Sequence, residues 1–185
     1  NVLAHVPDLN DFVGGLKLLL APDGVITMEF PHLWRLMAEN QFDTIYHEHY
    51  SYLSFTVVVR IFAHHGLRMF DVEELSTHGG SLRVFACHED GPHATGPAVS
   101  ALLAREAADG GAKLLVVVGG DGSVNEVANG IAGRTDVEIA VIPRGTGWDF
   151  VRTYGIPHKL DGAIDVALTG RPRTIDLGRV HYRAW

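Results

Sequence analysis

Tyr46-His47-Glu48-His49-Tyr50 sets two imidazoles, a carboxylate and two phenols within one short stretch. An imidazole can take a proton at neutral pH, a neighbouring carboxylate can fix its tautomer, and a phenol can donate to a developing oxyanion. Together these groups suit removal of a proton beside a carbonyl to give an enolate. Two other readings stay open on residue type alone. One is a surface cluster of aromatic and histidine side chains. The other is a metal site, but His47 and His49 are spaced i, i+2, which points them to different faces of a helix, and the sequence places no third or fourth ligand. No metal site is therefore assigned. His64, His65 and His88 read as exposed or internally satisfied histidines.

A second constellation lies downstream. The apolar run Leu114 to Val118 reads as a parallel strand covered on both faces, and it breaks into Gly119-Gly120-Asp121-Gly122-Ser123 before Val124-Asn125-Glu126 opens a helix. Glycines let backbone approach a ligand with no Cβ in the way, and Ser123 is placed to cap a helix whose first amides face an anion. A further glycine loop, Gly145-Thr146-Gly147, follows the next apolar strand. Two such loops at the carboxyl ends of successive parallel strands share one sheet edge, where ligands bind. Asp121 can approach a magnesium-bound phosphate through water or order the turn, and Thr146 offers a hydroxyl. Two ordinary glycine turns remain the bland alternative.

The elements that must position these groups follow from periodicity and punctuation. Leu9, Phe12, Val13, Leu16, Leu19 and Leu20 recur at helical spacing after Pro7-Asp8, and Pro22-Asp23-Gly24 ends that helix. Val25 to Phe30 is a strand stopped by Pro31, and His32 to Asn40 is helical. Phe55 to His65 reads as a helix closed by Gly66, despite the β-branched run Val57-Val58-Val59. Leu67 to Glu73 and Ser81 to His88 form an antiparallel pair. Glu89 to Pro97 is a loop, and Ala98 to Ala108 is an alanine-rich helix. The pattern then alternates: strand from Lys113, helix from Val124 to Ile131, strand from Val137 to Ile142, loop, helix from Leu160 to Leu168, and strand from Thr174 to Val180. Alternation of this kind implies parallel βαβ units.

Composition bounds the rest. The chain has 185 residues, 46% of them hydrophobic, which is enough for one large or two small cores. A net charge of −7 leaves no basic stripe for nucleic acid. The single cysteine, Cys87, excludes a disulfide framework and fits the cytoplasm. No apolar run approaches the roughly 20 residues that span a bilayer. The chain starts Asn1-Val2-Leu3-Ala4-His5, with neither methionine nor a basic leader, and reads as cut from something longer.

Three stretches carry a specific resemblance: Asn1 to Asp8, Phe42 to Ser54, and Thr77-His78-Gly79-Gly80-Ser81-Leu82-Arg83. Residues 1–93 resemble the C-terminal part of the S-adenosylmethionine-dependent deoxysugar C-methyltransferases. The resemblance implies a truncated Rossmann-like part, in which a nucleotide-linked keto sugar is deprotonated beside its ketone and the carbanion takes a methyl group. It makes His49 the base, assisted by Tyr46 and Glu48, with His5 and His78 lining the site. The zinc module and glycine-rich cofactor loop of such enzymes precede the point where this chain begins.

Residues 94–185 resemble the diacylglycerol kinase catalytic family, through the two glycine loops, Asp161-Gly162-Ala163-Ile164 and Arg173-Thr174-Ile175-Asp176-Leu177-Gly178. This resemblance implies a βαβ nucleotide-binding part that takes ATP with Mg²⁺ and transfers phosphate to a lipid hydroxyl. It assigns nucleotide contacts to Gly119, Gly120, Asp121, Gly122, Ser123, Asn125, Glu126, Gly145, Thr146 and Gly147. Trp148 stands where that family usually has Asn. The expectation is an α/β chain joining parts of two transferases, neither activity complete, with the loop Glu89 to Pro97 as the natural junction. The alternatives are a nucleotide-binding module and an inert scaffold.

Overall fold

The computed structural model describes residues 2–180. It divides into two compact units, Asn1–Gly110 and Gly111–Trp185. The first contains α1 (Leu9–Leu19), β1 (Ile26–Pro31), α2 (Leu33–Ala38), α3 (Phe55–His64), β2 (Leu67–Leu75), β3 (Ser81–His88) and α4 (Pro97–Asp109), with short 3-10 turns at Leu3–His5, Phe42–Thr44 and Thr77–Gly79. The second contains β4 (Leu114–Gly119), α5 (Asp121–Ile131), β5 (Glu138–Pro143), α6 (Asp149–Tyr154) and α7 (Leu160–Thr169). No helix among the described residues is long and apolar enough to cross a membrane.

In the first unit the strand order is β1-β3-β2, and both pairings are antiparallel. β1 and β2 therefore run the same way, with β3 inserted against them. Helices α3 and α4 pack on β2 and on each other, and α1 packs on α3. Leu82, Val84 and Ala86 of the central strand join Phe30, Phe55, Val58 and Phe62 in one fully enclosed core. That burial explains why α3 tolerates Val57-Val58-Val59. Each β-branched residue costs a few tenths of a kcal/mol in helix propensity, while burying one side chain returns ~1.5–3 kcal/mol. Asp8 caps α1 as expected, accepting the Asn10 and Asp11 amides at 3.0 Å. Leu19, counted on the apolar face of that helix, points into solvent instead.

The loop Glu89 to Pro97 is fastened within the first unit. The Arg68 guanidinium donates to the carbonyls of Glu89 (3.0 Å), Gly91 (2.8 Å) and His93, and to the Thr95 hydroxyl. His93 stacks on Phe70. Where residue types place a junction at this loop, packing divides the chain after Gly110, and α4 goes with the first unit.

In the second unit β4 and β5 pair in parallel, with Leu114 opposite Glu138 and Gly119 opposite Pro143. Val117 and Val141 form a small core with Val124 of α5 and Val151 of α6. Four expectations are corrected here. β4 is covered on one face only: Val117 joins the small core, while among the described residues nothing covers Leu114, Val116 and Val118 on the opposite face, and they remain exposed. The helix expected from Val124 begins at Asp121, so Ser123 lies inside its first turn. The loop after β5 holds α6. Finally, Thr174 to Val180 is irregular and exposed: its β-branched composition is only a weak preference, and it pairs with no strand among the described residues.

Candidate functional site

His49 is the best-defined group of the upstream cluster. Its Nδ1 lies 3.1 Å from the Thr44 carbonyl, which can only accept, so Nδ1 carries the proton. Nε2 is then a lone pair, and the Tyr46 hydroxyl donates to it at 3.0 Å. The His5 ring meets His49 edge-on at 4.8 Å, and its Nδ1 likewise donates to a carbonyl, that of Glu48, at 3.0 Å. Two half-buried imidazoles therefore share one tautomer, each leaving Nε2 as the basic nitrogen.

Local folding produces this arrangement. The Tyr50 and Ser51 amides both donate to the Ala4 carbonyl, which ties the 3-10 turn carrying His5 to the histidine loop. Tyr52 adds a further edge contact to His49. Glu48 takes part through its main-chain oxygen. His78 makes no hydrogen bond or ring contact with this cluster and sits at positive φ in a loop that Gln41 holds through Gly79 and Glu29 holds through Thr77. Glu29 also pairs with Arg83. Burial pushes the Glu29 carboxyl up, but the hydrogen bonds from Thr77 and Arg83 outweigh it and leave it below the ordinary range. No group of three or more His, Cys, Asp or Glu side chains set to hold a metal occurs among the described residues.

Among the described residues of this unit, neither glycine pair forms the strand-end loop that cradles a sulfonium cofactor. Gly14 and Gly15 sit in mid-helix in α1. The space a Cβ would take at Gly79 and Gly80 is already filled by Gln41 and Arg35.

In the second unit the two glycine loops meet. Gly119 and Pro143 end adjacent parallel strands, and the Arg144 amide continues the ladder to the Gly119 carbonyl at 2.9 Å. The chains then touch backbone to backbone: a Cβ on Gly120 would come within 3.1 Å of the Gly145 Cα, and one on Gly145 would collide with Gly120. A Cβ on Gly147 would lie 2.6 Å from the Asp121 carboxylate. Glycine is needed at these positions for loop-to-loop contact.

Asp121 joins the loops a second way. Its carboxylate accepts the Phe150 amide at 2.9 Å and the Asp149 amide at 3.2 Å, capping the first turn of α6 from the start of α5. Ser123, expected as a cap, makes no capping bond, and its hydroxyl lies over Gly119. The first turn of α5 thus starts at Gly120 with no side chain on its amides. Such a turn, at the end of a parallel strand, fits an anionic phosphate. A direct Mg²⁺ ligand at Asp121 fits less well, because both of its oxygens already accept amides. Gly122 and Thr146 are exposed at the mouth; Asn125 and Glu126 lie one turn along α5.

Sequence reasoning missed Glu106 and His32, and marked Trp148 only as a departure from the family pattern. Trp148 donates its indole N–H to the Gly145 carbonyl at 2.6 Å and lies against His158, with ring centroids 4.1 Å apart, closing the second loop. Glu106 is buried in α4 against His32, which is itself 3% exposed. Its signal was a carboxylate at the i+7 position of the apolar stripe Val99-Leu102-Glu106, where a surface glutamate does not belong.

Residues 72–180 match the family described as Diacylglycerol kinase catalytic domain. The chain is also 46% identical over 107 residues to the C-methyltransferase NovU of Streptomyces niveus, a stretch that takes in 58% of this chain and 26% of that protein. It is 37% identical over 83 residues to a probable lipid kinase YegS-like protein of Cronobacter sakazakii, covering 43% and 28% of the two chains. With a diacylglycerol kinase of Staphylococcus aureus the identity is 42% over 71 residues, covering 38% and 22%. The chain spans about a quarter of the length of these relatives.

Proposed function

Because the chain belongs to the diacylglycerol kinase catalytic domain family over residues 72–180 and also carries C-methyltransferase-like sequence, we propose a two-part transferase whose paired glycine loops hold the phosphates of ATP. The observation that carries this reading is the uncapped first turn of α5, held against Gly145 at the ends of two parallel strands. ATP supplies the phosphoryl group when bound. The chain's part is to offer the amides of Asp121, Gly122 and Ser123 to phosphate oxygens and to keep the second loop in register through Asp121 and Trp148. Mg²⁺ enters with the phosphates. The acceptor is a lipid hydroxyl by family. Calorimetric titration with ATP tests the site: Gly145→Val should weaken binding by about tenfold or more, and equal affinity in the two proteins would sink the reading.

The tautomer of His49 favours a second reading for the first unit, a base for carbon acids. His49 Nε2 takes a proton from the carbon beside the ketone of a nucleotide-linked sugar, and the Tyr46 hydroxyl turns from Nε2 to the developing oxyanion. S-adenosylmethionine would supply the methyl group, and the part derived from this chain's own residues is the removal of the proton. Deuterium wash-in from D₂O next to that ketone should occur with the parent chain and vanish in His49→Ala; equal exchange in both would refute it.

A further inference from the structure

Glu106 is more deeply buried than capping a helix requires. Ser54 already caps α3 through the Val57 amide, yet a carboxylate from α4 is added to the same turn. Glu106 Oε1 accepts the Phe55 amide (2.8 Å) and the His32 ring (2.7 Å), while Oε2 accepts the Thr56 amide (2.7 Å) and the Thr56 hydroxyl (2.5 Å). Burial pushes the Glu106 carboxyl up, but the donors from His32, Thr56 and Phe55 outweigh it and hold it below the ordinary glutamate range. The group is a fully bonded carboxylate at neutral pH.

His32 connects that carboxylate to the histidine loop. Its amide donates to the Gly80 carbonyl at 3.0 Å, and the next amide, that of Leu33, donates to the Leu53 carbonyl at 3.0 Å. Gly80 follows His78, and Leu53 ends the segment that carries Tyr46 and His49. The ring's other nitrogen, Nδ1, is buried with no partner, so among the described residues Glu106 alone orients the imidazole by a polar contact. We propose that Glu106 is a positioning residue for the His49 base: through His32 and the first turn of α3 it fixes the end of the segment that carries Tyr46 and His49, and with it the loop that carries His78.

This inference rests on His49 being the base, and the test separates the two. Long-range ¹H–¹⁵N spectra of the full chain report the tautomer of each imidazole. The parent should show His49 as a single Nδ1–H tautomer, and Glu106→Gln should shift it to the mixture of a free imidazole. His32→Leu, which removes the donor to Glu106, provides the same readout if Glu106→Gln does not fold. A lowered melting temperature with the His49 tautomer unchanged in either folded variant would overturn the proposal and leave Glu106 purely structural. A tautomer mixture already present in the parent would overturn the base reading, and the positioning role with it.

Discussion

The first turns of α3 and α5 present the same orphan amides and meet opposite fates. In α3 the Ser54 hydroxyl and the Glu106 carboxylate take up the amides of Phe55, Thr56 and Val57 within the core. In α5 a glycine stands at the cap position and no side chain arrives. A helix start that the protein has satisfied internally is structural, whereas one left open behind a glycine cap, at the end of a parallel strand, is available to a ligand. Asp121 shows the intermediate case: it leaves its own helix uncapped and caps α6 instead, which binds the two glycine loops to each other.

The largest effect expected comes from opening the α3 turn. Glu106→Ala leaves two buried amides and the His32 ring without an acceptor, and should cost the first unit about 3–5 kcal/mol in urea unfolding. The same carboxylate makes that unit acid-sensitive. Because its folded pKa lies below the unfolded value, its stabilisation is complete above the usual glutamate range and is lost as the pH falls through the lowered value, so the unfolding midpoint should fall on the acid side only. Next comes Gly145→Val, which forces a side chain into Gly120 and should weaken ATP by about tenfold or more, or ~1.4 kcal/mol, by calorimetry.

Asp121→Ala should be milder. Losing the α6 cap costs about 1 kcal/mol, read as a lower melting midpoint of the second unit, and ATP affinity should fall because the second loop is released. The smallest effect is expected at Asp136, a carboxylate with strong partners but at no helix start. Hydrogen bonds from Arg134 hold it down to about 2, yet it is exposed, and Asp136→Asn should leave the neutral-pH melt unchanged. A large loss there would break the comparison, since it would make ion pairing rather than helix starts the deciding feature.

Much of the arrangement was legible in the sequence because it rests on local punctuation. Asp8 before α1, Gly66 after α3 and the glycines after β4 and β5 each act within a turn of their own position. The illegible parts act across long separations. Glu106 stands out only by its place in the apolar stripe of α4, and the partners that explain it lie 50 to 74 residues away in the chain. Ser123 fits a capping pattern, but α5 starts two residues earlier. Thr174 to Val180 has strand composition without a partner edge, and Leu114, Val116 and Val118 are apolar without a cover, because sheet neighbours are not encoded in the strand itself. The histidine and tyrosine cluster was legible in type, while its fixed tautomers depend on the Thr44 and Glu48 carbonyls, which any residue could supply.

The central claim, that the open α5 turn and its partner loop bind ATP phosphates, is tested most directly by ATP titration of ¹⁵N-labelled chain with amide shifts followed residue by residue. The account predicts saturable shifts at Gly120 to Ser123 and at Gly145 to Trp148, with the amides of Phe55, Thr56 and Val57 unmoved. No shift at Gly120 to Ser123 at saturating ATP, or shifts of equal size at the α3 turn, would contradict it.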